Sequence, residues 1–325
     1  MMLSLGRTTH TLCLLVFGGA IACASTASAE MLRVGKAVQK SFSFSLLDLG
    51  VKAGIFKANG LDLEVTSFGG GARMQQALAA NSIDMAFGGG ADMGFIAKGS
   101  PVTGVAAMAG PPDLVLAVRP DGGIATVTDL KDKKISVSSP SAITGWMMRE
   151  LARQQGWEPD KSVILVGNAP QAGWAAMRTR EVDGIVDNLG AALEAEQKGF
   201  GRILVQFRDR IPDFHMYVIF ARNDLIDSNP NAIRAFLKAW FATVAFARTH
   251  RKDMVDVAAG VTGTEKSLND RIYDAQMAIL SDDGKFRPAA LDTIRRSFVD
   301  LKILNQEPDM AGFYTEKFLP AAAGK

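Results

Sequence analysis

The chain has 325 residues, 36 Lys and Arg against 34 Asp and Glu, a net charge of +2 and 48% hydrophobic residues. That length holds two lobes with sizeable cores, and the charge balance provides no strong field to draw nucleic acid or an acidic membrane surface. Three scattered histidines (His10, His215, His250) and two cysteines (Cys13, Cys23) form no cluster with metal-ligand spacing, so neither a metal site nor a cofactor is expected.

Residues 1–29 read as a secretory leader. Arg7 and His10 precede an apolar run over 12–21, and Ala27-Ser28-Ala29 is a small-x-small cleavage signal. The run is too short for a membrane span. Ala20-Ile21-Ala22 before Cys23 offers lipidation as an alternative to soluble export. Both cysteines fall in the leader, so the processed chain 30–325 relies on its core rather than on disulfides.

A short strand at 32–35 leads through 42–49 into a helix stopped at Asn59-Gly60. LDLEVTSF (61–68) alternates as a strand. Gly69–Gly71 turn the chain into a helix over 73–80, a third strand covers 83–87, and Asp92 caps a short helix. Strands at 102–107 and 114–118 flank Pro111-Pro112. The polar stretch RPDGGIATVTDL (119–130) reads as a boundary. Beyond it come a strand at 134–137, a helix at 144–155 and a strand at 163–166, then strands at 203–207 and 217–221. From Asn229-Pro230 the pattern is helical: 233–250, 268–280, 291–304 and 310–319.

One block recurs. QALAANSIDMAF (76–87) and AAMRTREVDGIV (175–186) share a helix, turn, Asp and strand, with Asp84 and Asp183 lying 99 residues apart. Two copies a lobe apart imply two α/β lobes with facing strand ends, where ligands of open sheets bind. The organisation expected is leader 1–29, lobe one 30–118, lobe two 119–216, and a return to lobe one with C-terminal helices over 217–325. Two interlobe crossings would form a hinge.

The segments KAGIFKANGLDLEV, GGGARMQQALAANSIDMAFGG, DLKDKKISVSSPSAITGWMMRELARQQG and AAMRTREVDGIVDN resemble periplasmic substrate-binding proteins of ABC importers. The group most similar is the binders of sulfonates, taurine, nitrate and thiamine precursors. The resemblance covers residue 32 to about residue 250. It implies an α/β, type II-like two-lobe periplasmic-binding-protein fold with a ligand cleft between lobes and two hinge crossings. It further implies a monomer that hands a small molecule to an ABC permease complex in the inner membrane. Ile185-Val186-Asp187-Asn188 departs from the sulfonate binders, which carry an aromatic before this Asp and a Pro after it.

The candidate ligand residues are Ser41, Phe42, Phe44, Gly70, Gly89, Asp92, Ser138, Ser139, Ser141, Thr144, Asp187 and Asn188. The hydroxyl-rich 138–144 loop opens a helix, whose free N–H groups suit an anionic head group. Plain capping by Ser141 or Thr144 is the other reading. Phe42 and Phe44 either wall the ligand or fill the core. The glycines allow close backbone approach. Asp187 either accepts a ligand N–H or, with Asn188, caps the next helix. Asp113, His215 and Tyr217 are weaker candidates near the hinge. The expected function is capture of a small organic anion or zwitterion, sulfonate- or taurine-like. The alternatives are a pyrimidine or other heterocycle, and a ligand sensor. No G-x-S-x-G elbow or Ser–His pair suggests an enzyme.

Overall fold

A computed structural model describes residues 29–321. Residues 1–28 of the leader, with Cys13 and Cys23, lie outside the described residues. Among the described residues, ten strands form two five-stranded sheets. The first contains β1 (Glu30–Lys36), β2 (Leu61–Ser67), β3 (Met85–Gly89), β4 (Val102–Ala109) and β10 (Tyr217–Arg222), in the order β2-β1-β3-β10-β4. The second contains β5 (Leu114–Val118), β6 (Lys134–Val137), β7 (Ile164–Gly167), β8 (Gly184–Asn188) and β9 (Arg202–Gln206), in the order β7-β6-β8-β5-β9. In each sheet the first three strands are parallel, and one antiparallel strand arrives from the other half of the chain. These are two copies of one topology, the α/β two-lobe architecture expected above.

The first sheet change falls earlier than the polar stretch suggested. Leu114–Val118 pairs with β8 and β9, so the chain crosses at 110–113 and not at 119. Pro111-Pro112 marks the crossing itself, because proline cannot continue a strand ladder. Residues 119–133 merely link β5 to β6, through the short turn Val127–Leu130 pinned by Asp129 Oδ2 on the N–H groups of Ala125 and Thr126. The second crossing lies between β9 and β10.

The helix expected over 310–319 is absent. Gly312 takes φ +82°, and the chain runs extended beside β4, with Gly104 N–H donating to Phe313 O and Thr315 N–H to Gly104 O. The Pro230–Thr249 helix does start at Asn229-Pro230, with Asn229 Oδ1 accepting from Ala232 N–H. It places Phe236 and Trp240 under β3, where Trp240 lies 4.8 Å from the Phe87 ring. The Ile143–Gln154 helix touches the C-terminal part of the chain. Trp146 Nε1 and Arg153 donate to Asp300 at 2.9 and 2.7 Å, and Trp146 stacks on Phe214 of the second crossing.

The repeated aspartates do the same structural task twice. Asp84 accepts from Arg33 N–H at 2.8 Å, from the Arg33 guanidinium at 3.0 and 2.7 Å, and from Arg222 at 3.0 Å. Asp183 accepts from Lys134 N–H at 3.0 Å and from Arg119 at 3.2 Å. Each carboxylate thus ties the start of its strand to the middle one of the three parallel strands (β1 or β6) and to an Arg at the end of the incoming antiparallel strand. Burial opposes ionisation of Asp84. The Arg33 hydrogen bonds and charge, with that of Arg222, outweigh it and hold the carboxyl below its usual range.

Candidate functional site

A cleft of about 610 Å³ opens between the sheets. Val38, Lys40, Ser41 and Phe42, just after β1, form one wall. Pro170, Gln171 and Trp174, after β7, and Asp187 with Asn188, at the end of β8, form the facing wall. These are carboxyl ends of parallel strands, where an open sheet leaves backbone groups and helix starts free to meet a ligand. Asp113 and Tyr217 close the back from the two crossings. Thr262, Gly263, Thr264, Asn269, Ile272 and Gln276 close the third side from the C-terminal helices.

The cleft is aromatic at its walls and acidic at its floor. Tyr217 hydroxyl donates to both Asp113 oxygens at 3.2 Å. Trp174 Nε1 donates to Asp187 Oδ2 at 2.7 Å, while Asn188 N–H and Nδ2 donate to Oδ1 at 2.8 and 3.0 Å. Val115 is the cross-strand partner of Asp187, so Asp113, two residues earlier, takes a diagonal position on the same face. Burial pushes both carboxyls up from their usual range. The Tyr217 hydrogen bond restrains Asp113, and the Asp187 charge drives it further up. Asn188 and Trp174 restrain Asp187. Burial and the neighbouring Asp113 raise the Tyr217 hydroxyl well above its usual value, so it stays a donor.

The structure brings together Ser41, Phe42, Asp187 and Asn188 from the sequence candidates. Asn188 also caps the following helix, its Oδ1 accepting from Ala191 N–H, so both roles proposed for this pair coexist. Phe44 is not on the cleft lining. It is 1% exposed and packs behind Tyr217 at 4.7 Å, fixing that ring. The 138–144 hydroxyls bond to one another. Ser138 pairs with Thr144 at 2.8 Å and Ser139 with Ser141 at 3.0 Å, and none of the four lines the cleft. Capping by Ser141 is not seen either, since Ala142 occupies the N-cap position. Gly70, Gly89 and Asp92 also lie off the lining. Gly70 adopts φ +127° to start its helix. Asp92 turns back to accept from Gly89 N–H at 2.9 Å, its carboxyl wedged against Gly71 and Gly88 and raised by burial to about 6.

Tyr217 lines the cleft, whereas His215 does not. It is 3% exposed, accepts from Arg287 N–H, and is held neutral by burial with its pKa near 4. Lining residues not singled out from sequence include Lys40, Gln171, Trp174, Glu194 and Gln276. Gln276 had a readable signal. Asn269 and Gln276 stand one heptad apart on the buried face of the Lys266–Ile279 helix, where apolar residues belong.

The NMT1/THI5-like family model matches residues 43–253. A Brucella abortus protein described as a binding protein is 25% identical over 226 residues, 69% of each chain. The fold is shared with the periplasmic aliphatic sulphonate binding protein SsuA of Escherichia coli, at 19% identity and TM-score 0.74 over 86% of this chain and 90% of that one. It is also shared with the alkanesulfonate-binding SsuA of Xanthomonas axonopodis pv. citri, solved bound to MOPS, at 15% identity and TM-score 0.72 over 88% and 98%. The desulfurization enzyme DSZB has the fold too, at 15% identity and TM-score 0.65 over 89% and 97%. The match spans well over half of the sequence and includes both crossings and every cleft-lining segment except the C-terminal helices and Val38–Phe42: the chain belongs to the NMT1/THI5-like family.

Proposed function

We propose that this protein is an exported solute-binding component of an ABC importer that captures a small organic molecule in the interlobe cleft and hands it to a permease. Binding, rather than bond chemistry, suits a cleft whose lining pairs aromatic walls with fixed hydrogen-bond acceptors. The observation that carries the reading is the pair of carboxylates, half-buried Asp113 and buried Asp187, lining the cleft with Phe42, Trp174 and Tyr217. Closure on a ligand that bridges the walls would stabilise one state over the other, which is what transport signalling requires.

The same pair narrows the ligand. Among the described residues Lys40 is the sole basic one on the lining, against Asp113, Asp187 and Glu194. A plain sulfonate or nitrate would meet two unfavourable charges, whereas a flat heterocycle with N–H donors would satisfy both. An amino-sulfonate zwitterion is the second reading, with its acidic end at Lys40. The test is thermal shift over a paired panel: aminopyrimidines and benzamidine against benzenesulfonate, taurine and alkanesulfonates. A ligand at about 100 times its Kd adds roughly 2.7 kcal/mol of stability. Stabilisation by plain sulfonates but not by N–H donors would overturn this reading.

A further inference from the structure

The two carboxylates of the cleft differ in how far the protein itself satisfies them. Asp187 is buried and takes three donors: Trp174 Nε1 at 2.7 Å on Oδ2, and Asn188 N–H and Nδ2 at 2.8 and 3.0 Å on Oδ1. An ionised carboxylate offers about four lone-pair sites, so its neighbours nearly fill Asp187. In return it holds the Trp174 ring on the cleft wall. Asp113 is half-buried, and among the described residues only the Tyr217 hydroxyl donates to it. That single proton is shared between two oxygens at 3.2 Å each, beyond the roughly 2.5–2.7 Å of a full O–H···O⁻ bond. Most of the accepting capacity of Asp113 is therefore left open, and Asp113 lines the cleft.

We infer that Asp113 is the specificity-determining residue that receives the N–H or cationic end of the ligand, and that Asp187 builds the wall without contacting that end. The inference rests on the ligand-capture reading above and separates two carboxylates which that reading treats as a pair. A partly desolvated carboxylate with one shared donor gains more from a ligand N–H than one already bonded three times, because its desolvation is not yet offset. Position gives the pose. Asp113 ends the first crossing and Tyr217 follows the second, at the back of the cleft, whereas Lys40 and Glu194 are exposed at its mouth. The ligand enters donor end first, with its flat body between Phe42 and Trp174. Bound there, it touches the first crossing through Asp113 and reaches the second through the Tyr217 hydroxyl.

The probes are benzamidine, a planar cation with N–H donors, and benzamide, its neutral isostere. The readout is the ratio of their affinities by titration calorimetry. The wild type should favour benzamidine by about thirtyfold or more, as for a desolvated charge pair. Asp113→Asn keeps an oxygen for the Tyr217 hydroxyl and removes the charge, so the ratio should fall to about threefold or less. Asp187→Asn disturbs Trp174 and should weaken both probes together, with the ratio within about fivefold of the wild-type value. Asp113→Glu retains the charge but displaces the carboxyl by one methylene, and should lower the ratio about tenfold. It carries the test if circular dichroism finds Asp113→Asn unfolded. A ratio that survives the Asp113 variants, or collapses equally in Asp187→Asn, would overturn the inference alone. A wild type with no preference for benzamidine, or one that binds neither probe, would overturn the ligand reading and this inference with it.

Discussion

Replacing Asp84 by alanine tests whether the repeated aspartate is structural. The side chain is nearly buried and accepts four hydrogen bonds, three from Arg33 and one from Arg222. Removing one partner of a buried ion pair costs about 3–5 kcal/mol, because the charge left behind is desolvated and unpaired. Two details place this case at the low end. The Arg33 side chain is 39% exposed and can recover water, while Arg222, at 12%, keeps its 2.9 Å ion pair with Asp224. A loss of about 3 kcal/mol lowers the melting temperature by roughly 6–12 °C for a protein of this size. Asp183 has a 23% exposed side chain and a longer 3.2 Å contact to Arg119, so Asp183→Ala should cost about 1 kcal/mol.

The acid limb gives an independent check by calorimetric or circular-dichroism melting. Asp84 is held below its usual pKa in the fold, so its contribution is fully present above the unfolded value near pH 4 and is lost as pH falls through the folded value. The gap between wild type and Asp84→Ala should therefore narrow below about pH 4. A gap under about 2 °C at neutral pH, an equal cost at Asp183, or a gap unchanged in acid would each refute the argument.

Asp92→Asn should raise the melting temperature at pH 8 and leave it unchanged near pH 4. The native carboxyl, raised by burial to about 6, costs stability as pH climbs from the unfolded value through that point, and an amide oxygen still accepts from Gly89 N–H. Trp174→Phe should weaken benzamidine binding about fivefold by titration calorimetry, since it frees Asp187 Oδ2 from its 2.7 Å donor and lets the carboxylate turn. Ser139→Ala should leave affinity within about twofold in the same assay, because its hydroxyl bonds to Ser141 away from the cleft. Small-angle scattering should show compaction on ligand addition, with the two crossings at 110–113 and before Tyr217 acting as the hinge.

Periodicity and turn chemistry are local, and they located β1, β2, β6 and the Pro230–Thr249 helix to within a few residues. The repeat was legible for the same reason: a helix, turn, Asp and strand lie within twelve residues. Its meaning was not, because Arg33 and Arg222 stand 51 and 138 residues from Asp84. The boundary at 119 failed through a general ambiguity. A Pro-Pro pair between two apolar strands looks alike whether the strands share a sheet or part between two, and only pairing partners decide.

Site legibility divides along the same line. Ser41, Phe42, Asp187 and Asn188 sit at strand ends, so topology alone aims them at the cleft. The 138–144 hydroxyls also follow a strand end, but four hydroxyls in seven residues can satisfy one another, and they do. A dense run of short polar side chains is thus an ambiguous sign of a ligand, since the density that invites contact also permits self-pairing. A polar residue a full heptad from the next amide on an otherwise apolar helix face has no such outlet. Burying it requires a partner from elsewhere in the fold, which is why Gln276 points to the cleft more sharply than the serine loop does.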